Sequence, residues 1–267
     1  MFPDAPAYVY PAIVALAAAV GFAVVLYTGR AAGIPAGRLV ILQLTLAALG
    51  HLGGRLYLLI ELRAPWEWSD LLAVGYRHPG SIAGVLIGLL VLPPLLLPGI
   101  SVALLADCVA PAIAFATVVM RIGCFVIGCC AGTVSTVPWA IQFPPESRVS
   151  RLHARLGLIP SSDLPSLHVH PLQVYFLALA LAVGVVLVWL RPRKRYDGQV
   201  FLVFLALHET GKAALETLRE NVPELATGSG VLIASLAAGV LAAAALVIIP
   251  LWRAREAGAA SAVVRLH

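Results

Sequence analysis

The sequence predicts an all-α, polytopic membrane protein with about seven transmembrane helices, and three observations carry that expectation. First, 61% of the 267 residues are hydrophobic and only 12% are charged, with a mean hydropathy of +0.95. A water-soluble domain of this size cannot hide so much apolar surface. Second, the chain repeatedly offers runs of about 20 apolar residues, the length that crosses a bilayer core. Third, the basic residues between those runs fall on one side of the implied membrane.

The expected spans are roughly 8–27, 39–60, 80–97, 101–120, 172–190, 199–218 and 229–251. The first is interrupted only by Pro11 and Gly21. It has no basic segment ahead of it, so it reads as a retained span rather than a secretory signal. The third closes at Pro93-Pro94 and Pro98-Gly99, a turn into the fourth. The sixth is the least apolar and carries His208, Glu209, Lys212 and Glu216. Together the spans form a single membrane domain over 1–267. Residues 121–171 are too polar to cross and form a head segment between spans four and five. Within it, 148–158, with Arg148, Arg151, Leu152, Arg155 and Leu156, has the pattern of a short amphipathic helix.

Loop charges orient the chain. With the N-terminus outside, Arg30, Arg38, Arg191, Arg193, Lys194, Arg195, Arg253, Arg255 and Arg265 face the cytoplasm. Glu61, Glu67, Asp70, Glu146, Asp163, Glu220 and Glu224 then lie outside, with the head segment, and the C-terminus lies in the cytoplasm. The net charge of +5 thus belongs to a membrane surface and not to nucleic acid, for which no binding module is present.

Ionisable groups at membrane depth cost about 2.5–3.5 kcal/mol each on insertion scales, so those retained mark candidate chemistry. In the sixth span His208, Lys212, Glu216 and Arg219 share one helical face, where Lys212 can pair with Glu216 and Glu216 with Arg219. A self-neutralising seam between helices is the plain alternative to an anion-binding wall. Arg121 ends the fourth span beside Gly123, Gly128 and Gly132. There a guanidinium suits phosphate, and glycines admit a close ligand. Snorkelling to lipid headgroups is the competing reading.

Cys124, Cys129 and Cys130 follow at once. Inert packing, a disulfide from Cys124 to Cys129 or Cys130, and a reactive thiol near Arg121 all remain open. Their spacing is not a zinc pattern. His168 and His170 have no third ligand nearby, so neither a metal nor a cofactor is expected. Gln173 and Tyr175 open the fifth span, and His78 precedes the third, where an imidazole can serve as a base.

Taken in order, these segments resemble the prolipoprotein diacylglyceryl transferase family. The resemblance lies in Gly54-Arg55-Leu56-Tyr57, Gly84-Val85-Leu86-Ile87-Gly88, Ala106-Asp107-Cys108-Val109-Ala110-Pro111 and Arg121-Ile122-Gly123-Cys124-Phe125-Val126-Ile127-Gly128. It continues in Pro138-Trp139-Ala140-Ile141-Gln142-Phe143-Pro144, His170-Pro171-Leu172-Gln173-Val174-Tyr175, and Lys212 with Glu216, Arg219 and Glu220.

The resemblance implies an enzyme of the bacterial cytoplasmic membrane. Such an enzyme moves the diacylglyceryl group of phosphatidylglycerol onto the lipobox cysteine of a preprolipoprotein, forming a thioether and releasing glycerol phosphate. It makes Arg121, Glu216, Arg219 and His78 catalytic candidates. Arg55, Tyr57, Gly84, Asp107, Gly123, Gly128, Cys129, His170, Gln173, Tyr175 and Lys212 become substrate-binding candidates. The chain departs from the family pattern at several positions. Ala83 stands at a histidine position. Cys124, Ile127 and Cys129 replace asparagines and a glutamate, Lys212 replaces an arginine, and Phe176 replaces an acid. A transferase with another acceptor, a thiol-redox membrane protein and a non-catalytic lipid-binding protein or transporter are the other readings.

Overall fold

The computed structural model describes residues 8–62, 78–219 and 228–264. Glu67, Asp70, Glu220, Glu224 and Arg265 lie outside the described residues, as do the side chains of His78, Arg253 and Arg255. The described residues form helices α1 (Val9–Ala31), α2 (Ala36–Leu62), α3 (His78–Leu96), α4 (Val102–Ile127), α5 (Arg148–Arg155), α6 (Leu172–Leu190), α7 (Gln199–Glu216) and α8 (Gly228–Val264). Among them, α1, α2, α4, α6 and α8 contain stretches long and apolar enough to cross a membrane. Their exposed side chains include Leu16, Ile41, Val185 and Leu241, which hydrocarbon solvates at no cost and water does not. The apolar stretch of α3, Ala83–Leu96, is shorter, and the ionisable groups of α7 keep it out of this set.

Two boundaries differ from expectation, at the ends of α4 and α8. The fourth span does not stop at 120, because α4 continues to Ile127 and takes Arg121 and Cys124 into the helix. Packing explains the extension: a Cβ on Gly123 would lie 2.8 Å from Ile13 Cγ2, so α1 presses directly on that turn. α3 runs through Pro93 and Pro94 to Leu96. A proline lacks a donor but keeps its carbonyl, and Pro93 O accepts from Leu97 N at 2.8 Å. α8 extends beyond 251 to Val264.

The chain groups into two compact units, Phe22–Cys108 and Met1–Gly21 with Val109–His267. The first is built on α2 against α3. A Cβ on Gly84 would sit 2.2 Å from Leu49 O, and one on Gly53 would sit 2.3 Å from Gly80 O. The two helices therefore meet backbone to backbone, as small residues permit in membranes.

In the second unit, Ala110 and Ala114 of α4 pack with Val183 and Leu187 of α6 and Val200 and Phe204 of α7. α8 lies along α7, where a Cβ on Gly239 would meet Thr210 Cγ2 at 2.6 Å.

The connection between α4 and α6 has its own small core of Phe143, Val149 and Val169. Ile141 N donates to Val169 O at 3.0 Å, and Val169 N returns a bond to Ile141 O at 2.9 Å. The amphipathic helix expected at 148–158 forms as α5. Ser147 caps it by accepting from Ser150 N at 3.0 Å, satisfying a donor left free by the first turn. Val149, Ser150 and His153 face inward while Arg148, Arg151 and Arg155 face out. His153 Nδ1 accepts from Leu167 N at 3.1 Å, and Ser150 Oγ donates to Leu164 O at 2.6 Å, so side chains tie the helix to the following strand-like segment.

Candidate active site

The end of α4 sets the geometry. Cys129 N donates to Cys124 O at 3.0 Å and Gly128 N to Phe125 O at 3.2 Å. These are the paired bonds of a helix closed by a residue in the left-handed conformation. Gly128 is that residue, with φ +67°. No larger side chain fits there, since a Cβ would lie 2.9 Å from the Phe143 ring. Cys130 is also left-handed, at φ +61°, a conformation that costs a non-glycine residue about 1–2 kcal/mol. The reversal folds the chain back over the last turn of α4. As a result, the sulfurs of Cys124, Cys129 and Cys130 all lie within 4.8 Å of one another. All three are free thiols. Hydrogen bonds from Cys124 and Cys129 hold the Cys130 thiol well below its usual range, with Arg219 and Arg121 adding to the effect. The Cys129 thiol is pushed up by its contacts with Cys124 and then Cys130.

Two further segments converge on this reversal. Gln173, fully buried in the first turn of α6, donates from Nε2 to Cys129 O at 2.6 Å. Its Oε1 is buried without a partner among the described residues. Gly132 pairs with Arg219 as a bridge, Gly132 N donates to His170 O at 3.0 Å, and Thr133 N donates to Leu218 O at 2.8 Å. A Cβ on Gly132 would sit 2.7 Å from Leu218 O. The stretch after α4 is thus held by the segment before α6 and by the one after α7.

The cationic groups meet at Phe176. Arg121 lies with its guanidinium carbon 4.3 Å from the ring centroid, and Arg219 lies 5.9 Å from it. Phe176 is 2% exposed. An aromatic face attracts a guanidinium without cancelling its charge, unlike the acid that the resemblance implies at this position. Arg219 is also held by Glu216: Nη2 donates to Oε1 at 3.0 Å, and Nε lies 2.6 Å from Oε2. Arg121 has no such carboxylate partner among the described ion pairs. Beside this centre, Trp139 Nε1 donates to Tyr175 Oη at 2.6 Å, and His170 Nδ1 lies 3.2 Å from the same oxygen.

The expected site residues divide accordingly. Arg121, Gly128, Cys129, Gln173, Glu216 and Arg219 are brought together, with His170 and Tyr175 alongside. Gly123 packs against α1. The expected Lys212–Glu216 pair does not form. Lys212 Nζ instead donates to Glu209 Oε2 at 3.4 Å, and His208 Nδ1 lies 3.1 Å from Glu209 Oε1. Three and four residues apart are equally reachable on a helix, and Arg219 already occupies Glu216.

Arg55, Tyr57, Gly84, Asp107 and His78 belong to the other unit. There Arg55 and Asp107 are buried, Tyr57 is exposed, and Gly84 is a packing contact. His78 opens α3. Phe176 and Trp139 were not expected in the site. Phe176 follows Gln173 at a three-residue interval on one helix face, which was a usable signal. Nothing in the sequence pairs Trp139 with Tyr175.

The fold and this centre define a multi-pass helical membrane protein whose polar groups gather at the end of α4, the start of α6 and the end of α7. The family model for prolipoprotein diacylglyceryl transferase matches residues 2–253, and the chain belongs to that family. It is 27% identical over 201 residues to a phosphatidylglycerol–prolipoprotein diacylglyceryl transferase of Clostridium perfringens, covering 72% of each chain. A Clostridium tetani protein of the same name is 27% identical over 138 residues, half of each chain. One from Vibrio vulnificus is 32% identical over 126 residues, 47% of this chain and 40% of that one. The chain therefore spans about half the length of some curated relatives it matches and 72% of another.

Proposed function

We propose that this chain transfers the diacylglyceryl group of phosphatidylglycerol to the lipobox cysteine of a preprolipoprotein. The observation that carries the reading is the convergence of Arg121 and Arg219 on one buried ring, in a member of this family. The acceptor sulfur attacks the terminal glyceryl carbon. A carbon–sulfur bond forms, the carbon–oxygen bond to phosphate breaks, and the electron pair goes to the phosphate oxygen. The thiol proton is lost, and glycerol phosphate leaves. Two fixed guanidiniums oppose the charge that grows on phosphate, which stabilises the transition state more than the bound lipid. Glu216 positions Arg219, and Gln173 anchors the backbone at Cys129 while offering an unused acceptor to a lipid hydroxyl. His170, Tyr175 and Lys212 are proposed as further lipid and peptide contacts; within the other unit, Arg55, Tyr57, Gly84 and Asp107 are proposed as substrate contacts and His78 as a base.

The proposal includes seven spans in one domain of the bacterial cytoplasmic membrane. The N-terminus and the head segment lie outside, and the C-terminus lies in the cytoplasm. An impermeant thiol reagent on intact cells should label a cysteine placed at 150 and spare one placed at 194; the reverse pattern inverts the orientation. Activity is tested by reconstituting the protein with phosphatidylglycerol and a lipobox peptide. A peptide mass raised by one diacylglyceryl group supports the reading. An unchanged mass, with protein shown to be folded, rejects it.

A further inference from the structure

We propose that Cys124, Cys129 and Cys130 form a three-thiolate site for a thiophilic divalent cation of the zinc class, open at a fourth position that takes the acceptor's cysteine sulfur. The acceptor half of the proposal rests on the function proposed above; the metal half does not.

The geometry comes first. Thiolate–zinc bonds of about 2.3 Å place sulfurs around one ion about 4 Å apart. The three sulfurs here already lie within 4.8 Å of one another, so small rotations of the side chains complete the set. The linear spacing conceals this, because a residue and its successor ordinarily point apart. The left-handed turns at Gly128 and Cys130 remove that obstacle by reversing the chain over the helix end. The loop is also held from outside: Gln173 Nε2 grips Cys129 O, and Gly132 is paired to both His170 and Arg219. Such contacts keep ligands in place before the ion arrives.

Openness and charge fit the same class. Cys124 is buried, Cys129 half-buried and Cys130 exposed, so one side of the cluster is accessible. Three protein ligands with an open fourth position are the pattern of a reactive rather than a structural zinc site. A coordinated thiol is deprotonated. Three thiolates and Glu216 then face the two guanidiniums of Arg121 and Arg219, and the two negative charges left over are what a divalent cation neutralises.

The site also offers the acceptor thiol a route to its thiolate in addition to the proposed base His78. In the proposed step the acceptor thiol binds the cation and gives its proton to water. Its sulfur, still nucleophilic as a thiolate, attacks the glyceryl carbon. The carbon–oxygen bond breaks towards the phosphate held by Arg121 and Arg219, and the neutral thioether formed is a poor ligand that leaves. No electrons are gained or lost overall.

The test uses the full chain, purified in detergent, reduced and stripped of metal with a chelator. Cobalt(II) is titrated anaerobically as an optical stand-in for zinc. We expect one ion per chain with thiolate-to-cobalt charge-transfer absorption. The band should vanish when Cys124, Cys129 and Cys130 are all changed to Ala and persist in Cys108→Ala. A peptide with one cysteine in a lipobox-type sequence should shift the cobalt ligand-field bands, and the same peptide with serine should not. No charge-transfer band in reduced, folded protein overturns the site, as does a band that survives the triple substitution. A band indifferent to the cysteine peptide overturns the fourth position. Because phosphatidylglycerol is absent throughout, these results are independent of whether transfer occurs. If the cobalt signals appear as expected and reconstituted protein transfers nothing, the proposed function fails and the metal site stands.

Discussion

Gly84 and Gly88 lie inside α3, and Gly128 and Gly132 lie beyond the end of α4, at the same spacing. In α3 the missing side chain is used for contact. Gly84 sits against Leu49 O of α2, and the pair is held by backbone proximity along its length. After α4 it is used for conformation and passage. Gly128 takes φ +67° to reverse the chain, and Gly132 lets two other segments reach it. One sequence pattern thus builds a rigid seam in one unit and a polar centre in the other. Which outcome follows depends on whether the helix is still running at the first glycine.

The largest effect should come from removing the charge that the second arrangement presents. Arg121→Ala should lower transfer by about 100- to 1,000-fold, the usual loss for one transition-state donor, with helical content by circular dichroism unchanged. Arg121→Lys should recover only part, since an ammonium lacks the planar fork. Turnover of Arg121→Ala near the wild-type rate would make this residue a headgroup anchor and detach the site from it.

The two glycine classes should then fail differently. Gly84→Leu forces bulk into a crossing where even a Cβ meets backbone at 2.2 Å. Overpacking of this kind costs about 1–3 kcal/mol, to be read as a lower thermal midpoint in detergent. Gly128→Ala places a side chain in the left-handed region, at about 1–2 kcal/mol, and against the Phe143 ring. Its mark should be a loss of transfer larger than its loss of stability, because it misplaces Cys129 and Cys130. Equal ratios of activity loss to stability loss in the two variants would erase the distinction.

The smallest effect concerns the connection itself. Ser162, and then Arg151, holds the exposed Glu146 carboxyl below its ordinary value. A depressed carboxyl stabilises the fold above its unfolded value of about 4 and stops doing so as pH falls through the lower folded value. Trp139 fluorescence should therefore report a slight loosening of this segment on acidification, and Glu146→Gln should flatten that response. An identical acid response in the two proteins would remove Glu146 from the account.

Much of the helical frame was legible because bilayer length and apolarity are local properties of the chain. The short amphipathic helix at Arg148–Arg155 was legible for a similar reason, its arginines recurring on one face. The end of α4 was not. Arg121 and Gly123 look like a stop, and only the packing of Ile13 against Gly123 explains why the helix continues. The partner of Lys212 was equally out of reach, since Glu209 and Glu216 are both at helical spacing and the choice depends on where Arg219 turns. The meeting of three sulfurs was hidden for a third reason: spacing rules assume a fixed loop shape, and here two left-handed residues set it.

The reversal at the end of α4 also orders events during synthesis. The left-handed turns that bring Cys124, Cys129 and Cys130 together lie within a few residues of sequence, so the reversal can form as soon as that stretch emerges. Contacts this local form early and fast, whereas distant ones wait for the intervening chain. The α6 glutamine arrives after α5, and Glu216 and Arg219 only once α6 and α7 have also been made. For that interval the nascent chain carries three neighbouring thiols with Arg121 as their only cation from this site. The share of thiolate character that Arg219 lends to Cys130 is therefore added last, when that residue docks beside Gly132.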